Sequence, residues 1–246
     1  MGRRRFRVEP GSLVPGLVAL PAGEGHHARV TRIGAGDEVE LFDGAGASAV
    51  GRLVDPTSDP IAVAVTSVER DEVDAAPRFV VVQAVPVKPQ RLDTTIRLLT
   101  ELGCDAVHLV TSSRSQVPES GLSALRRRLA RWERIAETSA KQCGRTTLPA
   151  IKAPIAMTDL GWDELPPLRI VLDPRGRDSL AAVAKAMPAQ SCALLVGPEG
   201  GWSADEVEAS TRAGARTATL GPRVLRADSA GPVALTVVQS IWGDLA

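Results

Sequence analysis

The chain has 246 residues, 44% of them hydrophobic, and its 29 basic side chains balance 29 acidic ones, the composition of a globular protein large enough for two domains. The basic start MGRRRFRVEP is not followed by the apolar run that a signal peptide requires, and the sequence has no apolar stretch of bilayer-spanning length. We therefore expect a cytoplasmic protein that does not enter a membrane. Its three separated cysteines lack metal-ligand spacing, which predicts reduced thiols and neither a disulfide framework nor a structural metal.

Residues 1–73 are predicted to form a small β-barrel. Segments 37–44, 47–54 and 60–69 alternate apolar and polar residues and are separated by Gly, Pro and Asp, while 23–33 has a helical pattern. A basic cluster lies near the N-terminus, and we expect it to contact a polyanion. The cluster consists of Arg3, Arg4, Arg5 and Arg7.

One glycine motif in this region has two interpretations. The sequence GAGASA at 44–49 matches the loose dinucleotide-binding fingerprint G-x-G-x-x-A. That fingerprint requires a helix to follow, yet ASAVGRLV at 47–54 alternates like a strand. We therefore interpret the glycines as a hairpin turn.

Beyond a linker at 71–77, strand-like apolar segments alternate with helical ones. This pattern predicts a second domain, 78–246, with a parallel sheet covered on both faces, in which ligands bind at the carboxyl ends of the strands. The predicted strands are 78–86, 106–112, 168–174, 192–198 and 215–221, and the predicted helices are 90–103, 119–143, 178–187, 203–213 and a closing helix.

The predicted helix 119–143 carries a second group of arginines. Arg127, Arg131 and Arg134 share one helical face, and residues 78–150 hold 12 Lys and Arg against 6 Asp and Glu. A solvated helix surface explains this face as well as a polyanion contact does. Two basic clusters in a neutral chain nevertheless favour the polyanion.

Three predicted strands end in loops of unusual composition, at 172–178, 196–203 and 220–231. The glycines of the second loop allow a ligand to approach closely, and the helix that follows, with Ser203 as N-cap and Glu206 three residues on, directs its positive end toward that ligand. A phosphate-binding P-loop is excluded because Trp202 follows the glycines where Lys is required. All the histidines lie far upstream, which argues against a metal hydrolase and against a catalytic triad.

The sequence GPEGGWS at 197–203, followed by LGPRVLRADSA at 220–230, resembles the signature of the RsmE-type methyltransferases of the SPOUT class. Enzymes of this family methylate N3 of a uracil in 16S ribosomal RNA, and their last motif usually reads L-G-x-R-I-L-R-T-E-T-A. The resemblance covers most of the chain, because similar blocks occur in the same order at 6–8, 26–46, 100–103, 112–115 and 131–149.

The resemblance implies an α/β architecture with an N-terminal PUA-like barrel at 1–73 and a SPOUT domain at 78–246 whose final segment forms a trefoil knot. Similar proteins bind S-adenosylmethionine at the knot and act as homodimers, and the implied partner is 16S rRNA or the small ribosomal subunit. The implied cofactor-binding residues are Leu172, Gly197, Pro198, Glu199, Gly200, Leu220, Gly221, Val224 and Leu225.

Methylation of uracil at N3 requires removal of the N3 proton and stabilisation of the negative charge on O2 and O4. We expect Arg226 to stabilise that charge, because a guanidinium stays charged and presents several donors. Glu199 and Asp228 are the candidate bases. Two structural roles remain open, Glu199 as a helix cap and Arg226 as a partner of Asp228. Arg114 and Arg145 are expected to contact RNA.

The chain departs from the family motif at two places. Ala227, Asp228 and Ser229 replace the usual Thr-Glu-Thr, which shortens the acid by one methylene, and Leu98 stands where similar sequences commonly carry Lys. Two other functions stay open: a non-catalytic RNA-binding or ribosome-assembly protein, and a related knotted methyltransferase that acts on transfer RNA. The apolar face of the closing helix suits either a buried core helix or a subunit interface.

Overall fold

A computed structural model describes residues 3–71, 77–115 and 121–245 of the chain. The chain divides into two compact units, Met1–Ala75 with Thr138–Leu148, and Ala76–Glu137 with Pro149–Ala246. Most of the predicted linker at 71–77 and the start of the predicted helix 119–143 lie outside the described residues.

The first unit is built around a mixed sheet. Its elements are β1 (Arg4–Arg7), β2 (Gly16–Ala19), α1 (Ala22–Val30), β3 (Glu38–Phe42), β4 (Ala47–Leu53), β5 (Ala62–Val65) and β6 (Glu69–Arg70). The strand order is β1-β3-β4-β5-β2, with β6 paired to β4, and only β1 and β3 run parallel. Every second side chain of β4 is buried, which accounts for the alternating sequence that predicted it.

The segment Thr138–Leu148 belongs to the first unit and differs in this from the predicted second domain. The guanidinium of Arg5 donates to the carbonyl oxygens of Ala140 (2.8 Å) and Arg145 (3.0 Å). Gly44 and Thr147 also form a short β-bridge. These long-range hydrogen bonds attach the segment to the first sheet.

The second unit contains a sheet in which every strand pair is parallel, as predicted. From residue 79 onward the elements are β7 (Phe79–Ala84), α2 (Arg91–Glu101), β8 (Ala106–Thr111), α3 (Gly121–Arg126), α4 (Leu129–Cys143), β9 (Ala150–Ala156), β10 (Leu168–Leu172), α5 (Leu180–Lys185), β11 (Cys192–Val196), α6 (Ala204–Arg212), β12 (Arg216–Ala218) and α7 (Ala227–Trp242). The strand order is β12-β10-β11-β7-β8-β9. Strand β9 was not predicted, and the predicted helix 119–143 is divided into α3 and α4.

Both faces of this sheet are buried. In β7, Phe79 and Val81 belong to one apolar cluster and Val80 and Val82 belong to another. Because successive side chains of a strand point to opposite faces, a strand covered on both sides must be apolar throughout. This explains the uninterrupted apolar runs in the sequence.

The closing helix α7 is a core helix, one of the two alternatives that the sequence left open. It packs against α2, α5, β7 and β11, and Leu235 and Val238 are completely buried. The indole N–H of Trp242 donates to the carbonyl oxygen of Ala184 at 3.1 Å. Among the helices of the described ranges, none combines the length and apolar character required to cross a bilayer.

Candidate functional site

The loops after β10, β11 and β12 meet in one cleft at the carboxyl edge of the second sheet, as predicted. The three strands are parallel neighbours, so their carboxyl ends lie side by side. The cleft encloses about 590 Å³ of space not filled by atoms, a volume that includes its open mouth. The predicted cofactor residues that line it are Leu172, Gly197, Pro198, Glu199, Leu220, Val224 and Leu225.

The turn at 197–201, which we call the glycine turn, connects β11 to α6. Gly201 donates its N–H to the carbonyl oxygen of Pro198 at 2.8 Å and has φ of +68°. A Cβ on Gly197 would lie 3.1 Å from the backbone nitrogen of Trp202. Glycine is therefore required at 197 because two stretches of main chain approach each other there.

Helix α6 begins with the capping box that the sequence predicted. The Ser203 hydroxyl accepts from the N–H of Glu206 at 3.2 Å, and the Glu206 carboxylate accepts from the N–H of Ser203 at 2.8 Å. Glu199 consequently does not cap this helix, and that alternative is wrong. The cap fixes where the helix begins and so defines the end of the glycine turn.

Glu199 is held from a different part of the chain. Its Oε2 accepts from the backbone N–H of Val87 at 3.0 Å, and its Oε1 accepts from Nη1 of Arg91 at 3.2 Å. Both oxygens are therefore engaged by residues between the end of β7 and the first residue of α2. Arg91 was not identified from the sequence, because a basic residue at the start of a helix carries no signal of its own.

A second arginine covers the other side of the glycine turn. Nη1 of Arg114 donates to the carbonyl oxygen of Gly200 at 2.8 Å, and a Cβ on Gly200 would lie 3.3 Å from Cβ of Arg114. Gly200 and Gly221 belong to the site loops but lie outside the lining of the cleft. The sequence predicted an RNA contact for Arg114; in the structure, its Nη1 is used in the hydrogen bond to the glycine turn.

Arg226 and Asp228 lie where the third loop enters α7. Nε of Arg226 is 3.7 Å from Oδ1 of Asp228, and Nε of Arg91 is 3.8 Å from Oδ2 of the same carboxylate. Asp228 is mostly buried, whereas 65% of the Arg226 side chain is exposed. The Arg226–Asp228 pair that the sequence left open is therefore present, but Arg226 keeps most of its surface free.

Two further residues of the cleft were not identified from the sequence. Asp173 is buried and accepts bonds from Nε (3.0 Å) and Nη2 (2.8 Å) of Arg175 and from its backbone N–H. The hydrogen bond from the Arg175 side chain is the main cause that lowers the pKa of Asp173. Arg223 also lines the cleft, and its place inside the motif LGPRVLR could have revealed it.

The N-terminal arginines have different surroundings. The Arg5 side chain is 7% exposed, stacks on Phe42 at 4.7 Å from its ring centre, and lies 3.1 Å from the Glu40 carboxylate. Together with the two carbonyl bonds described above, these contacts give Arg5 an internal structural role. The predicted RNA contact of Arg5 is corrected accordingly, because its guanidinium is buried and engaged.

The other arginines predicted to contact RNA differ in their exposure. Arg3 pairs with a surface glutamate at 3.2 Å, and Arg4 is exposed. Arg7 is partly buried, and Arg145 donates to a threonine hydroxyl at 3.0 Å. On the helical face of α4, Arg131 donates to Asp93 at 2.6 Å. The RNA-binding role of these side chains stays a prediction.

The chemistry of the cleft suits a ligand that is partly apolar and partly polar. Leu172, Leu220 and Leu225 supply apolar walls, while Asp173 and Arg223 supply opposite charges. Within the described parts of the chain, no group of three or more His, Cys, Asp or Glu side chains is placed to hold a metal ion.

Comparison with domain families defines the class of the protein. The family model described as the RNA methyltransferase domain matches residues 74–239, and the model described as the RNA methyltransferase PUA domain matches residues 20–66. The chain thus combines a methyltransferase domain with a PUA domain.

Comparison with individual proteins narrows the assignment. Ribosomal RNA small subunit methyltransferase E of Mycobacterium tuberculosis is 33% identical over 231 residues, which cover 91% of this chain and 86% of that protein. The protein of the same name from Synechocystis is 29% identical over 243 residues, which cover 96% of this chain and 77% of that protein. The crystal structure of the Neisseria gonorrhoeae protein of that name, bound to S-adenosylmethionine, superposes with a TM-score of 0.86 at 27% identity over the whole of both chains. A methyltransferase from Legionella pneumophila in complex with the same cofactor gives 0.84 at 26% identity, covering 98% of each chain. The chain belongs to the ribosomal RNA small subunit methyltransferase E family.

Proposed function

We propose that this protein transfers the methyl group of S-adenosylmethionine to N3 of a uridine in the 16S rRNA of the small ribosomal subunit. The observation that carries the proposal is the convergence of three loops in one cleft of mixed apolar and charged lining, with an exposed arginine beside it. Relatives of this family crystallise with that cofactor, and the chain matches them along nearly its whole length.

The residues of the cleft fit the cofactor. Leu172, Leu220 and Leu225 would bury the faces of the adenine ring, and the backbone of Gly197 and Pro198 would meet its polar edge. When bound, S-adenosylmethionine supplies an electrophilic methyl group on a sulfonium sulfur. The proposal retains Gly200, Gly221 and Val224 as residues that shape the loops around it.

Arg226 is proposed to stabilise the uracil anion. The N3 proton must leave before N3 can act as a nucleophile, and the negative charge then resides on O2 and O4. The guanidinium of Arg226, mostly exposed and next in sequence to the cleft-lining residues Leu225 and Ala227, would offer donors to those oxygens. A donor that meets developing charge is worth about 100-fold in rate.

Asp228 is the better of the two candidate bases. Both carboxylate oxygens of Glu199 accept hydrogen bonds, from Val87 and from Arg91, which commits Glu199 to holding the glycine turn. Asp228 is held more loosely: its two arginine partners lie at 3.7 and 3.8 Å, and its Oδ1 accepts one hydrogen bond, from the Ser229 hydroxyl at 3.2 Å. We therefore assign proton removal to Asp228 and retain Glu199 as a lining residue of the cofactor site.

The proposal includes the finer architecture that the resemblance implies: a PUA-like barrel, a trefoil knot at the site loops and a homodimer. Sedimentation at several protein concentrations tests the dimer. Arg3, Arg4, Arg7, Arg114 and Arg145 are the proposed RNA contacts, and the site of action is the cytoplasm, where ribosomal subunits mature.

Two measurements test the activity. Calorimetric titration of the purified protein with S-adenosylmethionine should give binding in the micromolar range, about −8 kcal/mol. Mass spectrometry of 16S rRNA from cells with and without the gene should detect 3-methyluridine only when the gene is present. Cofactor binding without that nucleoside, and methylation of transfer RNA in vitro, would favour the tRNA enzyme; absence of both binding and methylation would favour a non-catalytic RNA-binding protein.

A further inference from the structure

Arg91, the first residue of α2, lies between two loops of the cleft. Its Nη1 is 3.2 Å from the Glu199 carboxylate, which belongs to the glycine turn, and its Nε is 3.8 Å from the Asp228 carboxylate, which belongs to the first turn of α7. All three side chains are partly buried. We propose that Arg91 is a positioning residue of the methyl-transfer site, which holds both carboxylates and thereby keeps Arg226 available to the substrate.

The order of charges explains how Arg91 acts on Arg226. Glu199, Arg91, Asp228 and Arg226 form a series in which negative and positive groups alternate, with every neighbouring pair within 3.8 Å. Arg226 and Arg91 share the Asp228 carboxylate at nearly equal distances, so loss of Arg91 would leave Arg226 as its one cationic partner within this series. The attraction between opposite charges would then draw Arg226 onto Asp228 and away from the mouth of the cleft.

A second contact shows that α2 is built to hold the start of α7. The buried hydroxyl of Thr95, one turn after Arg91, lies 3.2 Å from two carbonyl oxygens, that of Arg91 and that of Asp228, and can donate its one hydrogen to either. The Asp228 carbonyl would normally accept from the N–H four residues later, but residue 232 is proline and has no N–H to donate. Thr95 thus offers a donor to an acceptor that Pro232 leaves open.

The Thr95 contact makes it possible to distinguish two consequences of losing Arg91, a shift of the α7 main chain and a shift of the two carboxylate side chains. The Thr95 bond holds the main chain of α7 and does not depend on the Arg91 guanidinium, so α7 should keep its place when Arg91 is replaced. The side chains of Glu199 and Asp228 lose their shared cation. The expected defect is therefore in the position of charged groups and not in the fold.

The test compares Arg91→Gln and Arg91→Lys with Arg97→Gln as a matched control. Arg97 lies on the same helix and forms a surface pair with Glu101 one turn later. Arg91→Gln should lower the single-turnover methylation rate at saturating cofactor at least ~30-fold, because Arg226 no longer meets the uracil anion. Arg97→Gln should change it less than about 2-fold. Arg91→Lys should recover part of the rate, since an ammonium keeps the charge but lacks the fork that reaches two carboxylates.

A second readout does not depend on activity. The dissociation constant for S-adenosylmethionine should rise about 5-fold in Arg91→Gln and in Glu199→Gln, and it should rise no further in the double variant, because both changes break one contact. Unfolding curves should show that all variants remain folded. Independent, multiplying effects on the constant, or a normal methylation rate in Arg91→Gln, would overturn the inference.

The inference rests on the proposed function, and the two fail in different ways. If the wild-type protein neither binds S-adenosylmethionine nor methylates RNA, the proposed function is wrong. If the wild-type protein is active and Arg91→Gln behaves like Arg97→Gln, the role of Arg91 is wrong while the function stands.

Discussion

Two glycine-rich turns that follow strands, one in each unit, differ in which of their groups are engaged. In the turn at 43–47 of the first unit, the amide groups are engaged by the side chain of Asp43 and by the main chain of Thr146. The buried carboxylate of Asp43 accepts from the N–H groups of Ala45 at 2.7 Å and Ala47 at 3.0 Å, and Gly46 donates to the carbonyl oxygen of Thr146 at 3.3 Å. All three amide groups therefore donate to acceptors within the protein, and none of them is available to a ligand.

The glycine turn of the second unit is anchored from outside. Arg91 and Val87 hold Glu199, and Arg114 holds the carbonyl oxygen of Gly200. These anchors engage the Glu199 side chain and the Gly200 carbonyl oxygen, and Gly197 and neighbouring residues line the cleft. Glycine content therefore does not by itself identify a binding loop, because the first turn bonds its amide groups within the protein whereas the second turn lines a cleft.

The largest effect is expected for Arg226→Ala, which removes the exposed cation beside the externally anchored turn. Turnover should fall at least ~100-fold, about 2.7 kcal/mol, because the developing anion loses a charged donor. Single-turnover methylation of 16S rRNA measures this. Arg212→Ala, which removes a surface partner of Glu208, is the control and should be active. Near-normal turnover in Arg226→Ala would assign Arg226 to structure alone.

Asp43→Ala tests whether the first turn stabilises the fold without contributing to cofactor binding. It leaves the N–H groups of Ala45 and Ala47 without their acceptor, and we expect a loss of about 2 kcal/mol in the free energy of unfolding, measured in urea. Affinity for S-adenosylmethionine should change less than about 2-fold, since the amides of this turn bind no ligand. A loss of cofactor affinity as large as the loss of stability would contradict this separation.

How far the sequence predicts these features depends on the range of the interactions. The capping box of Ser203 and Glu206 and the hairpin at 44–49 depend on neighbouring residues, and both predictions are confirmed. The meeting of the three site loops also follows from parallel strand order. Local patterns therefore predict the secondary structure and the place of the cleft.

Local sequence patterns do not predict contacts between residues that are far apart in the chain. Arg5 is buried by a segment some 140 positions away, and Arg91 meets Glu199 across 108 positions. Strand β9, which was not predicted, contains Pro154, a residue that disfavours strands but is tolerated here because β9 lies at the edge of its sheet. Neither glycine nor proline marks the break between α3 and α4 at Arg127 and Arg128.

Gly197→Ala tests the close approach in the glycine turn. The added Cβ would lie 3.1 Å from the backbone nitrogen of Trp202, and a main-chain atom cannot move away by a change of rotamer as a side chain can. We expect about a 10-fold loss of affinity for S-adenosylmethionine, about 1.4 kcal/mol, by calorimetry. Gly25→Ala in α1 is the matched control, because its Cβ meets no atom within 4 Å. It should keep the affinity and gain up to about 1 kcal/mol in stability.

The smallest effect concerns how protein stability depends on pH through the loop after β10. This loop, like the glycine turn, is held by a carboxylate–arginine pair, here Asp173 and Arg175. Arg175 lowers the pKa of Asp173 below its ordinary value of 3.8, so the ion pair contributes stability above that pH and loses it as pH falls through the lower, folded-state pKa. The unfolding free energy of the wild-type protein should therefore fall more steeply below about pH 4 than that of Asp173→Asn. Arg175→Met should reduce the slope as Asp173→Asn does, because it removes the main cause of the shift. Exposure of Arg175 to solvent keeps the difference small. Curves for wild type and Asp173→Asn that stay parallel down to pH 3 would show that this pair does not stabilise the loop.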